Sequence, residues 1–125
     1  MTIINHDDLP FQKGYRSKIF SRKLVDETIS AKECQLWEQK IPVDGYIIPH
    51  SHPTEEIITL LSGQVEVILG EEKTIAHAPA TLFIPPHVIH SLANNGQEEI
   101  SLLAFLPTNN PQVIYPSPPD LVVWD

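Results

Sequence analysis

The chain has 125 residues, which corresponds most simply to one domain with room for a real hydrophobic core. Its formal net charge is −8, and residues 41–125 hold one Lys against ten acids, a net charge of −9 for that part. This balance gives no electrostatic basis for binding nucleic acid or an anionic membrane, and no apolar run approaches the roughly 18 residues that a membrane span needs.

The cysteine content and the N-terminal segment bear on the compartment. Cys34 is the single cysteine and so cannot form an internal disulfide. The first ten residues, "MTIINHDDLP", contain acids and lack the apolar stretch of a signal peptide. We therefore expect a reducing, cytoplasmic setting.

The predicted elements are strands rather than helices. Twelve prolines are spread from Pro10 to Pro119, and proline breaks helix interiors. After about 20 irregular residues, short apolar runs alternate with turn signals such as Ser62-Gly63, Gly70-Glu71 and Asn95-Gly96. In "QVEVIL" and "EISLLAFL" every second residue is apolar, which is the period of a strand with one buried face. The pattern predicts an all-β sandwich or barrel.

Two segments need separate interpretation. "SAKECQLWEQK" could form a helix capped by Ser30, but "KIPVDG" soon interrupts it and its neighbours are β-like, so we predict a strand. The tail "PTNNPQVIYPSPPDLVVWD" combines five prolines with an apolar end. We expect this tail to lie against the barrel or against a second subunit, and we expect a homodimer.

The segment "HSHPTEE" concentrates metal-binding side chains. In a strand, residues two apart face the same side, so His50 and His52 point together and Glu56 fits their side better than Glu55. Two imidazoles and one carboxylate suit a divalent transition metal. Further on, His87 and His90 follow a proline turn and would face opposite sides of an extended segment, so we expect one of them to join the site.

On these residues the chain resembles a small single-domain cupin. The first cupin motif matches Gly45, His50, His52, Glu56 and Gly63, and the second matches Pro85, His90 and Asn94. The resemblance implies a double-stranded β-helix, the cupin jelly-roll barrel. The barrel core would cover about residues 24–107 of a single domain spanning residues 1–125, with N-terminal and C-terminal extensions. The resemblance also implies that His50, His52, Glu56 and His90 bind one divalent transition metal ion, of which Fe, Mn, Ni or Zn would suit these ligands.

The chain departs from the cupin motifs around the site but not at the ligands. The spacer after Gly45 is one residue short, "HAPAT" replaces the glycine that often opens the second motif, and His87 replaces a motif glycine. We expect His87 to adopt a left-handed turn, which His tolerates better than most residues with a side chain.

Two further predictions concern the pocket. Tyr46 has the same strand parity as His50, so we expect its phenol to face the pocket and to serve catalysis as a hydrogen-bond or proton donor. A packing role at the barrel mouth is the alternative for Tyr46. We expect the pocket wall to be apolar, with these liners: Ile58, Leu60, Val67, Phe83 and Leu92.

Two functional classes remain open from the sequence. The first is a metal-dependent enzyme acting on a small, weakly charged organic substrate, with dioxygenase-type oxidation favoured. The second is a non-catalytic module that binds or senses a small molecule through the metal. A purely structural metal is a weaker third reading, because structural sites usually close the coordination shell with protein ligands.

Overall fold

The computed structural model describes residues 1–116 and the backbone of residues 119–122. Within these residues, two single-turn 3₁₀ helices cover His6–Asp8 and Glu27–Ile29. The remaining regular structure consists of these strands: β1 (Gln12–Lys13), β2 (Phe20–Val25), β3 (Gln35–Ile41), β4 (Tyr46–His50), β5 (Glu56–Ser62), β6 (Gln64–Leu69), β7 (Glu72–His77), β8 (Ala80–Ile84), β9 (His90–Ala93), β10 (Ile100–Leu106), β11 (Val113–Pro116) and β12 (Pro119–Val122).

The strands form two antiparallel sheets that enclose the core, plus a small hairpin. The larger sheet has the order β1-β2-β3-β10-β5-β8, and the smaller has the order β4-β9-β6-β7. In both sheets, strands that are distant in sequence lie next to each other. This is the topology of a jelly roll. The predicted all-β class and jelly-roll barrel are confirmed.

Inward-facing alternate residues build the core between the sheets. In β10, Ile100, Leu102, Ala104 and Leu106 are each 0% exposed, as the period-two pattern predicts. In β6 the buried positions also alternate, with one side of the strand facing the core and the other facing solvent. Burial of this alternating face is the main favourable term that holds the two sheets together.

The ambiguous segment before residue 42 is a strand. β3 pairs with β2 on one side and β10 on the other, and its buried residues alternate along its whole length. Gln35, Trp37 and Gln39 therefore face inward, and the Trp37 indole N–H donates to Gln35 Oε1 at 2.8 Å. The strand prediction is confirmed because tertiary pairing on both edges outweighs the local capping signal.

Two motif glycines have packing reasons. Gly63 has φ = 88°, and a Cβ there would lie 2.9 Å from Ile100 Cγ1. A Cβ on Gly45 would lie 2.7 Å from the carbonyl oxygens of Lys18 and Pro42. Only glycine allows the backbone to turn at the first position and to approach its neighbours at the second.

The segment after the barrel returns to it. β11 is joined to the end of β4 by two backbone hydrogen bonds of 2.9 Å between Ser51 and Ile114. This part of the tail lies against the barrel, as expected. The side chains of the apolar "LVVW" end lie outside the described residues. No helix of the described chain is long and apolar enough to cross a membrane.

Candidate metal centre

The residues predicted from the two motifs converge in the interior of the barrel. His50 ends β4, His52 follows two residues later, Glu56 begins β5 and His90 begins β9. The pairing of β4 with β9 places His50 opposite His90. All four side chains are buried, and one donor atom from each lies within 4.8 Å of the others. Glu55 is exposed, so the assignment of Glu56 to the histidine side is confirmed.

Each of the three histidines is oriented by a backbone carbonyl. The Nδ1 atoms of His50, His52 and His90 lie 2.8, 2.7 and 3.0 Å from the carbonyl oxygens of Ile48, Gln112 and Val88 respectively. Because a carbonyl oxygen can only accept, each Nδ1 carries the proton and each Nε2 presents a lone pair to the centre. Metal-binding histidines typically use this arrangement to fix the ring and its tautomer.

The inward-facing atoms are acceptors that need a cation between them. Glu56 Oε1 lies 3.1 Å from His90 Nε2 and 3.4 Å from His52 Nε2. In the neutral tautomer, the buried His52 Nε2 has no hydrogen-bond donor facing it, and only a protonated Nε2 can bond to Glu56. Lone pairs held this close repel one another unless a proton or a metal ion lies among them. Three imidazole nitrogens and one carboxylate oxygen are a donor set that divalent transition metals favour, so the residues present fit such an ion.

Burial and mutual charge set the protonation of the metal-free cluster. Burial first, and then the charges of the other two histidines, lower the pKa of His50 to about 4. Burial would raise the pKa of Glu56, but hydrogen bonds and charge from His52 and His90 outweigh it and hold that pKa well below its usual range. Burial would lower the pKa of His52, but the hydrogen bond and charge of Glu56 outweigh it, so that pKa is raised. A carboxylate that stays ionised here suits a cation site.

The cluster forms one wall of a small cavity of about 30 Å³. A cavity needs about 10–15 Å³ on this measure to hold one water, so there is room for roughly two or three water-sized groups. Every lining residue is buried. Of the predicted apolar liners, Ile58 and Leu92 line the cavity.

The other three predicted liners lie elsewhere. Leu60 and Val67 belong to the hydrophobic core without lining the cavity. Phe83 is 54% exposed on the outer face of β8, so its prediction as a liner is wrong. Strand parity chooses between two faces, but the sequence did not show which face of β8 is the inner one.

Tyr46 does not face this cavity. It is 43% exposed and lines a separate surface depression with Lys18 and Pro42. The reason is an irregularity in the pairing of β4 with β9 between Ile47 and His50. A bulge of this kind breaks the two-residue alternation, so Ile47 and His50 both face inward. The expected orientation of Tyr46 toward the metal group is corrected accordingly.

His87 supports the site through its backbone. Its φ is 65°, which confirms the predicted left-handed turn. Its backbone N–H donates to the carbonyl oxygen of His52 at 2.7 Å, while its side chain is exposed. The residue that replaces the motif glycine therefore ties the second motif to the first.

Sequence reasoning missed several contributors to the site, including the cavity liners Ile19, Trp37 and Ile47. Gln112 supplies the carbonyl for His52, and Val113 lines the cavity, yet neither position carries a motif signal. Gln39 also lines the cavity. Its signal was available, since it is a polar residue at an inward position of the alternating strand β3.

Comparison with known proteins agrees with the fold and the site. The cupin domain family matches residues 37–106, more than half of the chain and inclusive of all four clustered residues. The chain belongs to the cupin family. No curated protein sequence matches this cupin.

Several solved structures share the fold. The polyketide cyclase RemF from Streptomyces resistomycificus matches with a TM-score of 0.77 and 22% identity, over 86% of this chain and 79% of that one. A predicted oxalate decarboxylase from Thermotoga maritima has a TM-score of 0.77 and 17% identity, over 86% of this cupin and 99% of that chain. KdgF from a Halomonas species has a TM-score of 0.71 and 18% identity, over 85% of this cupin and 94% of that chain.

Proposed function

We propose that this cupin is a metal-dependent enzyme acting on a small, weakly charged organic substrate. One divalent transition metal ion would be held by His50, His52, Glu56 and His90. The observation that carries the proposal is the convergence of three imidazole Nε2 atoms and one carboxylate oxygen in a buried cavity, with every Nδ1 already committed to a backbone carbonyl. A preorganised donor set of this kind needs little rearrangement to bind an ion.

The charge balance of the site favours a ligand with an oxygen donor. Three neutral imidazoles and one carboxylate leave a divalent ion with a net charge of +1. Among the described residues that line the cavity, no Lys or Arg is present to attract an anion. A bound divalent ion would supply the electrostatic attraction for a substrate oxygen and could act as a Lewis acid or a redox centre. Four protein ligands leave positions open on a six-coordinate ion, which supports a catalytic role over a closed structural one.

The protein's own groups shape the remainder of the pocket. The aliphatic residues Ile47, Ile58 and Leu92 exclude water and lower the local dielectric around the ligand. The carbonyls of Ile48, Val88 and Gln112 hold the imidazoles in one orientation. The cavity beside the metal-binding group is small, which favours a compact substrate.

For the type of reaction, we favour dioxygenase-type oxidation. The same fold occurs in proteins described as a polyketide cyclase and as a predicted oxalate decarboxylase, so the fold does not choose a reaction. What supports oxidation is the histidine-rich donor set with one carboxylate, which suits redox-active ions such as iron.

The proposal is tested by metal analysis of protein from its native host, followed by oxygen uptake. Iron-, manganese-, nickel- and zinc-loaded samples are mixed with a panel of small dicarbonyl and phenolic compounds. Turnover that requires the metal and is lost in His50→Ala supports the enzyme. Tight binding of a small compound with no turnover on any metal would instead establish a binding or sensing module, the alternative reading.

A further inference from the structure

One polar side chain in the cavity wall is not part of the metal-binding group. Gln39 lies on the inner face of β3, is 8% exposed and lines the same cavity as the four clustered residues. Trp37, also in the wall, donates its indole N–H to Gln35. The other lining residues are aliphatic. Within the part of the chain that the structure describes, the Gln39 carboxamide makes no hydrogen bond.

The neighbour of Gln39 on β2 shows the same deficit. Antiparallel pairing places Ser21 opposite Gln39, and Ser21 is 2% exposed. Its Oγ is buried without a hydrogen-bond partner. Residues paired across strands have adjacent side chains on the same face. Ser21 lines a separate surface depression with Leu9 and Arg22, so Gln39 is the one of this pair that a molecule in the metal cavity can meet. Because buried polar groups are normally satisfied, a carboxamide in the cavity wall without a hydrogen bond indicates that a polar molecule binds there.

The cavity also constrains the charge and size of that molecule. The metal group with a divalent ion carries a net charge of +1, which favours a single negative charge on the ligand. No Lys or Arg among the described lining residues would balance a second negative charge. A carboxamide can both donate to an oxygen and accept from a hydroxyl. The cavity volume of about 30 Å³ limits the ligand to a few non-hydrogen atoms.

We propose that Gln39 recognises the second oxygen-bearing group of a short monoanion whose first oxygen faces the metal. The ligand class is a 2-hydroxy or 2-oxo carboxylate of about two or three carbon atoms. This inference rests on the proposed function, because the metal ion supplies the first anchor. Gln39 is the specificity-determining contact, since it distinguishes a ligand with two separated oxygen groups from a simple metal-binding anion.

The test uses the full chain loaded with Co²⁺, whose visible absorption changes when a ligand binds. Two probes are titrated: glycolate, which carries a carboxylate and a hydroxyl, and chloride, a single atom that cannot reach Gln39 from the ion. We expect Gln39→Leu to weaken glycolate binding by about tenfold and to leave chloride binding and cobalt content unchanged. Gln97→Leu is the matched control, because it makes the same chemical change at an exposed glutamine that does not line the cavity, and it should leave glycolate binding unchanged.

A second variant covers the case in which Gln39→Leu disturbs the fold. Gln39→Glu is nearly isosteric and adds a negative charge, so it should also weaken glycolate binding by about tenfold or more. Unchanged glycolate affinity in both cobalt-loaded variants would overturn the role of Gln39 while leaving the metal site intact. Parallel losses of glycolate and chloride affinity would also overturn it, since they would show general damage to the site. Wild-type protein that binds no metal would overturn the proposed function itself.

Discussion

His52 and Gln112 are 60 residues apart in sequence, yet the His52 Nδ1–H donates to the Gln112 carbonyl oxygen over 2.7 Å. Gln112 lies beyond residues 37–106, the part of the chain that matches the cupin family. The strand that follows it, β11, is anchored to the barrel by the paired backbone hydrogen bonds of Ser51 and Ile114. The orientation of a metal-binding imidazole therefore depends on a segment outside the family's common core.

Removal of that segment should weaken metal binding. Deleting residues 108–125 removes the partner of His52 Nδ1, and loss of such an outer contact typically lowers metal affinity by about 10- to 100-fold. Competition against a chromophoric chelator measures the change. Deleting only residues 117–125 is the matched control, because it keeps Gln112 and β11 and should bind metal as the full chain does. Equal affinity of both truncated forms would contradict the role of Gln112.

The assignment of the four ligands predicts a sharp contrast between neighbouring residues. The double variant His50→Ala, His52→Ala should lose the metal, and Glu56→Gln should weaken its binding because a neutral amide replaces the anionic donor. Glu55→Gln is the control, since Glu55 is exposed and the metal content should stay at one per chain. Elemental analysis after extensive dialysis measures the content. Full occupancy in the double variant would show that the ion binds elsewhere.

Metal affinity should rise with pH and then level off. Burial would lower the pKa of His52, but the hydrogen bond and charge of Glu56 outweigh it and raise that pKa, so the metal-free cluster keeps a proton to a higher pH than a free imidazole would. An incoming metal ion must displace that proton. Calorimetry in two buffers of different ionisation enthalpy, at about pH 6, 7 and 8, measures the protons released. Affinity that does not change over this range would contradict the prediction.

The proton on His52 opposes metal binding but stabilises the metal-free fold. A raised folded-state pKa means that the protonated His52 stabilises the fold fully below its unfolded pKa of 6.5 and that this contribution is lost as the pH rises through the raised value. His50 opposes it. Its pKa is lowered to about 4, so the neutral form is favoured and stability falls as the pH drops from 6.5 toward 4. In metal-loaded protein the His52 effect should disappear, and stability should fall more steeply as the pH drops below 6.5, because all three imidazoles must stay deprotonated to hold the ion. Urea unfolding of the metal-free and metal-loaded forms at each pH measures both effects.

Tyr46→Phe should have little effect on turnover. The phenol is 43% exposed on the outer side of β4, away from the cavity that holds the four ligands. We therefore expect kcat within about twofold of the wild-type value and unchanged metal content. A fall of about 100-fold would instead restore the role that strand parity first indicated, and would require β4 to rearrange when substrate binds.

Homodimer formation stays a prediction, and the structure offers a surface on which to test it. Phe105, Ile57 and Phe83 are neighbours across β10, β5 and β8, and each is between 36% and 54% exposed on the outer face of the larger sheet. Phe83→Asp should shift the protein toward monomer in light scattering at roughly tens of micromolar. Ile75→Asp, an exposed position on β7 of the other sheet, is the control. A wild-type monomer at this concentration would contradict the dimer.

The sequence by itself determined the fold class and the four clustered residues. Period-two alternation with glycine turns is a local property, so the strands of β6 and β10 and their buried faces were readable directly. The spacing of His50, His52 and Glu56 also pointed to these three side chains, although a bend separates β4 from β5, so their convergence depends on that bend rather than on one shared strand face. His90 followed from the second motif through the family resemblance, because its partners are distant in sequence.

Only the tertiary structure decided which other groups surround the cluster. The irregularity between Ile47 and His50 leaves Tyr46 outward and Ile47 inward, and strand parity cannot reveal such a shift because it depends on pairing with β9. The Gln112 carbonyl reaches His52 through a backbone contact that carries no side-chain signature. Gln39 was visible as a polar residue on an inward face, but its place beside the metal group depends on how β3 packs against the opposite sheet.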